Sequence, residues 1–292
     1  MKKDKEILTQ RIQNGIAKPF STELIKLIKP AIRIISQEDQ LTQKSLSKFG
    51  GIPLMKKEEE WLRAKKGNNP YVFLLQLDLE EIKPYNIGQQ LPEKGILSFW
   101  FNLDTWDDGK VIYYPNAEAL IKADLPPELK EEEERKKLPI WKRIFTKKSE
   151  FRLFPECQLK FEIEYHAPSW DSLQIKLFHI RNNTKPIDLE IDEKYIDEYC
   201  CENRSDHHLF GYYVGLQESI YELMKITKGR FPTKLSEELI KKGLNWSLLM
   251  QIDSDKTTEM NWVDWGKILF FIQEEDLKKE DFDNIIAQLD TT

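Results

Sequence analysis

The sequence predicts an α+β fold, internally duplicated, with mostly antiparallel sheets and flanking helices. Residues 248–272, LLMQIDSDKTTEMNWVDWGKILFFI, read as strand, acidic turn, glycine, strand. A counterpart stands at residues 73–101, FLLQLDLEEIKPYNIGQQLPEKGILSFWF. Each copy has an apolar run ending in Gln-x-Asp, then a polar connection. Each then has a glycine four residues ahead of a phenylalanine, Gly95 with Phe99 and Gly266 with Phe270. Phe49-Gly50 precedes the first copy as Phe210-Gly211 precedes the second, and the unequal intervals between landmarks describe an old duplication with altered loops. A further observation is the alternation of Leu159, Phe161, Ile163 and Tyr165 with Lys160, Glu162 and Glu164, the period of a strand with one buried and one wet face.

In chain order, residues 3–17 carry Ile7, Leu8, Ile12 and Ile16 near helical spacing, and Pro19 ends that helix. Ser21 or Thr22 is expected to cap a second helix that stops before Pro30. The β-branched run AIRII at 31–35 predicts a strand, and the polar residues 36–46 a loop. Gly50-Gly51 suits a turn with positive φ; without a following Lys-Ser/Thr it is no phosphate loop. A short helix is expected over 58–66, and strands over 71–77, 96–103 and 111–114. Asp107-Asp108-Gly109-Lys110 reads as the hairpin turn between the last two.

Residues 124–150 read as a charged insertion. Pro126-Pro127 opens ELKEEEERKK, a solvated helix, and the segment from Trp141 to Lys148 mixes aromatic and basic residues. That segment either packs Trp141, Ile144 and Phe145 on the fold or touches a membrane surface or polyanion. Residues 151–154 read as a strand, 171–200 as short helices, and 217–224 and 236–242 as helical. The tail 276–289 reads as a terminal helix with Leu277, Phe282, Ile285, Ile286 and Leu289 as its apolar stripe. The expected organisation is a helical segment at 1–30, a first half at 31–204 and a second half at 205–292.

The chain has 292 residues, 40% hydrophobic and 32% charged, with 44 Lys+Arg against 50 Asp+Glu, a net charge of -6. That is enough chain for a large core, and no broad basic field for nucleic acid, so none is expected as partner. No apolar run is long enough to span a bilayer and no signal-like segment follows the start, so a cytoplasmic protein is expected. Three cysteines, Cys157, Cys200 and Cys201, are expected as reduced thiols.

The strongest chemical constellation is Asp253-Ser254-Asp255 with Asp264 and the flanking Trp262 and Trp265. Paired carboxylates on a loop can share a hard cation, though the loop lacks the glycine and glutamate of an EF-hand, and they can equally accept turn N–H groups. The tryptophans can present a stacking surface for a sugar or a protein, or fill core. His207-His208 stand at strand spacing, which points them to opposite faces and away from a common metal. No catalytic residue, metal site or cofactor is expected.

Ser47-Lys48-Phe49-Gly50-Gly51-Ile52-Pro53, Leu74-Leu75-Gln76-Leu77-Asp78, Pro92-Glu93-Lys94-Gly95-Ile96-Leu97, His208-Leu209-Phe210-Gly211-Tyr212, the run from Leu248 to Asp255, and Trp265-Gly266 stand in one order along the chain. In these landmarks the chain resembles the YwqG-like bacterial proteins of unassigned function. The resemblance implies a duplicated α+β fold with antiparallel sheet and supplies no reaction. That family's pattern often has Asp directly after Trp-Gly; here Lys267 stands there and Asp264 precedes Trp265. The expected function is a non-enzymatic protein-binding module, of immunity or antitoxin type, whose partner is a toxin or other basic protein. Its expected contact residues are Asp253, Asp255, Trp262, Asp264 and Trp265. The alternatives are a metal-dependent hydrolase, or a small-ligand or carbohydrate-binding module, using the same acidic turn.

Overall fold

The computed structural model describes residues 2–15, 18–37, 45–88, 90–143, 151–168, 172–182, 207–213 and 236–291. Its strands are β1 (Lys29–Gln37), β2 (Lys48–Phe49), β3 (Leu54–Lys56), β4 (Val72–Asp78), β5 (Ile96–Asn102), β6 (Asp108–Tyr114), β7 (Leu120–Lys122), β8 (Cys157–His166), β9 (His207–Phe210), β10 (Trp246–Asp253), β11 (Lys267–Gln273) and β12 (Ile286–Asp290). Ten of them form one sheet in the order β12-β11-β10-β9-β1-β8-β2-β4-β5-β6, and β3 pairs with β7 apart from it. All these pairings are antiparallel.

Strands β1 and β8 pair at the centre, with a quartet of strands on each side. The sheet coils so far that its edge strands meet. Leu289 N donates to Trp106 O at 2.8 Å, and Gly109 lies so close to Ala287 and Phe270 that a side chain there would overlap them. The enclosed face is the core. Ile32, Ile34, Leu75, Phe99, Phe101, Phe161, Leu209, Met250, Ile252 and Phe270 belong to one buried cluster, and Phe99 meets Phe270 edge-on at 5.2 Å.

The two quartets make matching bonds. Asp78 N donates to Ser47 Oγ at 2.8 Å, as Asp253 N donates to His207 Nδ1 at 3.1 Å. The next amide in each reaches the glycine ahead of the following strand, Leu79 N to Gly95 O and Ser254 N to Gly266 O. Both β4–β5 and β10–β11 shift register, between Phe73 and Leu75 and between Leu248 and Met250. Left-handed backbone occurs at Gly50 and Gly51 (φ 55° and 67°) and at Phe210 and Gly211 (60° and 72°). Gly50 therefore takes the position of Phe210, one residue off the match that Phe49-Gly50 and Phe210-Gly211 suggest. Phe49 opposite Leu75 takes the position of Leu209 opposite Met250.

Helices close the outer face. α1 (Lys2–Asn14), α2 (Ser21–Leu27), α3 (Leu79–Ile82), α4 (Pro127–Lys137), α5 (Ile140–Arg143), α6 (Leu173–Asn182), α7 (Glu237–Gly243) and α8 (Glu274–Lys278) are described. Leu8 and Ile12 of α1 cluster with Leu24 of α2 and Ile175 of α6. Over the first quartet, Met55, Trp61, Ala64 and Leu129 bury Phe73 and Trp100. Among the described residues no helix is long and apolar enough to cross a membrane.

Several expected elements differ. Residues 58–66 form no helix, because Trp61 turns inward to donate from Nε1 to Tyr71 O and to pack edge-on against Trp100 at 5.0 Å. Residues 151–154 are irregular, with Phe154 packed on Trp262. Asp108-Gly109-Lys110 already lies in β6, so the turn precedes it, around Trp106 at φ 59°. Ser21 is the first residue of α2, and Phe20 precedes it without a side-chain cap. The tail is not one helix: α8 ends at Lys278, Glu280 takes φ 57°, and the chain re-enters the sheet as β12. Ile286–Asp290 pairs antiparallel with β11 at the edge of the sheet, which satisfies its backbone there, and Ala287 joins the main core. The helices expected over 183–200 and 217–224, Cys200 and Cys201, the 144–148 part of the basic-aromatic segment and the 204/205 boundary lie outside the described residues.

Candidate functional site

The acidic turn joins β10 to β11 and is held both by its own hydrogen bonds and by Met260 and Trp262, which are buried in the main core. Ser254 Oγ donates to Gly266 O and accepts from Trp262 N, both at 2.9 Å. Asp255 N donates to Met260 O at 2.8 Å, and Gly266 N reaches Trp262 O at 2.5 Å. Gly266 is required: a Cβ there would run into the Asp290 carbonyl, as one at Gly95 would run into that of Tyr114. The tip then passes through two successive left-handed residues, Asp264 (φ 51°) and Trp265 (φ 61°), a conformation that strains side-chain-bearing residues by about 1–3 kcal/mol each.

The five candidate residues separate into three groups. Asp255 lies at a node that ties the turn to the centre of the sheet. Its Oδ2 accepts from Ser36 Oγ of β1 at 2.5 Å and lies 3.3 Å from His207 Nε2 of β9, and its Oδ1 accepts from Thr257 N at 2.9 Å. His207 Nδ1 accepts the Asp253 N–H, so the proton sits on Nε2 and points at Asp255. Burial works to raise the Asp255 carboxyl, but the bonds from His207, Ser36 and Thr257 outweigh it and hold it well below the usual carboxylate range. Asp253 faces the other side of the sheet, accepting from Gln251 Nε2 at 2.9 Å and from Lys267 Nζ at 3.3 Å. Asp264 is exposed at the tip.

The three carboxylates are therefore not convergent. Among the described residues no group of three or more His, Cys, Asp or Glu side chains could hold a metal ion. Trp262 is a packing residue with no exposure, its ring edge-on to Phe154 at 5.5 Å. Trp265, by contrast, is 62% exposed and its neighbour Val263 50%. The Lys256 ammonium lies 5.7 Å from the Trp265 ring centre.

Ser36, His207 and Lys267 were not legible as parts of this site. Ser36 lies in a stretch that reads as loop. Lys267 stood out only as a departure from the Asp that often follows Trp-Gly. His208 indeed turns away from His207: its Nδ1 donates to Phe210 O at 2.9 Å and its ring meets His166 edge-on at 4.8 Å. Burial, with His166 beside it, pushes the His208 imidazole down to about 3.

A family model for a domain of unknown function, DUF1963, matches residues 47–291. The chain belongs to the DUF1963 family. The match begins at Ser47, the acceptor for Asp78 N, and covers both quartets, β8 and the acidic turn. It omits α1, α2 and β1, so the Ser36 contribution to the Asp255 node comes from outside the family match. No curated protein matches the chain.

Proposed function

We propose that this DUF1963 chain is a non-enzymatic cytoplasmic protein-binding module. In this reading it is a YwqG-like protein built by internal duplication, and it neutralises a toxin or other basic protein in the manner of an immunity protein or antitoxin. The observation that carries the binding reading is the Val263–Trp265 tip: a mostly exposed indole on a turn that passes through two left-handed residues. Rigid aromatic anchors lose little entropy on docking and dominate interface energetics. The net charge of -6, with Asp264 exposed at the tip, favours a basic partner and a salt-sensitive association. The matching hydrogen bonds and glycines of the two quartets support duplication.

The hydrolase reading loses support, because Asp253 and Asp255 are occupied by protein donors and Asp264 stands apart. Affinity capture from the native cell with tagged full chain tests the proposal, at low and high salt, with wild type and Trp265→Gly. The expected result is one stoichiometric partner, retained at low salt and lost with Trp265→Gly. A partner captured equally by wild type and Trp265→Gly moves the interface elsewhere, and none at low salt overturns the reading.

A further inference from the structure

We propose that the Val263–Trp265 tip takes an arginine side chain of its partner, the guanidinium stacked on the Trp265 indole beside Asp264, in the place that Lys256 holds in the free protein. This assignment rests on the protein-binding reading and names the group that the tip recognises.

The acidic turn carries two small tips that meet. Asp255 and Met260 bridge the base of the first, which runs through residues 256–259, and residues 263–265 form the second. The Lys256 ammonium joins them, 5.7 Å from the Trp265 ring centre. That is near the outer limit of about 6 Å for a cation–π pair. Among the described residues the Lys256 ammonium has no hydrogen bond or ion pair, and neither has the Asp264 carboxylate. The tip therefore holds an exposed indole that already draws a cation, and an exposed carboxylate with no cation of its own.

Two other rings show what is particular to this one. Arg152 lies 4.7 Å from the ring centre of Phe154, but that ring is 2% exposed and packs edge-on against Trp262, so the pair is closed within the fold. Trp141 is as exposed as Trp265, 63% against 62%, and Lys142 lies 5.2 Å from its ring. The residues that follow it, Lys142 and Arg143, are both basic and repel a further cation. Trp265 differs from both, with an open ring next to an unpaired carboxylate.

Arginine fits these two features better than lysine. Its planar guanidinium stacks on an indole and still has N–H groups in its plane to donate to a carboxylate. An ammonium is a point charge that serves one or the other. Lys256 is exposed and makes only a long contact, so it is readily displaced into water. The net charge of -6 draws the same class of partner. A carboxylate would gain Lys256 but meet Asp264, and would leave the indole face unused.

The test is ¹⁹F NMR of the full chain labelled with fluorotryptophan, the Trp265 and Trp141 resonances being assigned with Trp265→Phe and Trp141→Phe. The probes are a blocked glycine–arginine repeat peptide and the same peptide with lysine, citrulline or glutamate in place of arginine. The arginine peptide is expected to shift Trp265 and leave Trp141 in place. The lysine peptide should do so more weakly, and the citrulline and glutamate peptides should move neither. Lys256→Gln should tighten arginine binding about two- to fivefold by removing a competing cation, and Asp264→Asn should weaken it by a similar factor. No shift of Trp265 with the arginine peptide overturns the proposal. An equal shift with citrulline or at Trp141, a shift with glutamate, or arginine binding unchanged in both variants overturns it as well. Should a variant fail to fold, the wild-type response to arginine against citrulline decides alone. If Trp265 ignores arginine while partner capture is still lost with Trp265→Gly, the arginine assignment falls and the protein-binding reading stands. If the arginine peptide binds as expected and no protein is captured at low salt, the cation site stands and the protein-binding reading falls.

Discussion

The two quartets share a scaffold and differ in how their polar outer positions are closed. In the first, the covering segments supply backbone partners, Leu46 and Leu54 to Gln76 and Ile52 to Lys48, and Trp100 Nε1 is met by Ser98. In the second, the equivalent rungs are closed by side chains, with Gln251 to Asp253 and Asp253 to Lys267, and Gln288 Nε2 has no partner among the described residues. The same contrast holds at the strand ends. Ser47 serves a single amide in the first quartet, while its counterpart His207 bonds an amide on one nitrogen and Asp255 on the other. Among the described residues, then, the polar positions of the first quartet named here are closed, while in the second Gln288 Nε2 has no partner and the Trp265 indole is exposed.

Substitutions can break this contrast in order of size. Trp262→Ala should destabilise the protein by about 3–5 kcal/mol, measured by denaturant unfolding, because it empties a fully buried site against Phe154. His207→Ala should cost about 3 kcal/mol, and its positional counterpart Ser47→Ala about 1 kcal/mol, since only the first also removes one of three donors to the half-buried Asp255 carboxylate. Equal losses would mean that the Asp255 node adds nothing.

Asp290→Asn should stabilise the chain at neutral pH by about 1–2 kcal/mol, allowing for partial solvent screening. The sign follows from linkage. The carboxyl is raised to about 6 when folded, so the folded state holds its proton more tightly than the unfolded chain. Wild-type stability contributed by this group is therefore full below about pH 4 and lost as pH rises through about 6. Unfolding free energies measured across that window should converge between Asp290→Asn and wild type at the acid end. Trp265→Gly should change stability least, within about 1 kcal/mol of wild type and on the stabilising side, because glycine accepts positive φ freely.

Much of the architecture was readable in the sequence. The period-2 pattern at residues 159–165 lies within β8, and the strand–turn–strand at 248–272 is β10 and β11 with the acidic turn between. The errors have physical causes. Phe282, Ile285, Ile286 and Leu289 fit a helical stripe as well as an edge strand, and only the vacancy beside β11 decides between them. Trp262 and Trp265 look alike in sequence, yet one is core and the other exposed, because the two left-handed residues at the tip reverse the chain between them. The Asp255 node was invisible for a different reason: Ser36 and His207 lie far from it in sequence and meet it only through pairing of β1 with β9.

The most direct measurement is partner capture at low salt by wild type, Trp265→Gly and Trp265→Phe, with circular dichroism confirming equal folding. The binding account predicts a single stoichiometric partner that Trp265→Gly loses, Trp265→Phe partly retains, and high salt releases. A partner held equally by all three chains, or none by wild type, would contradict it.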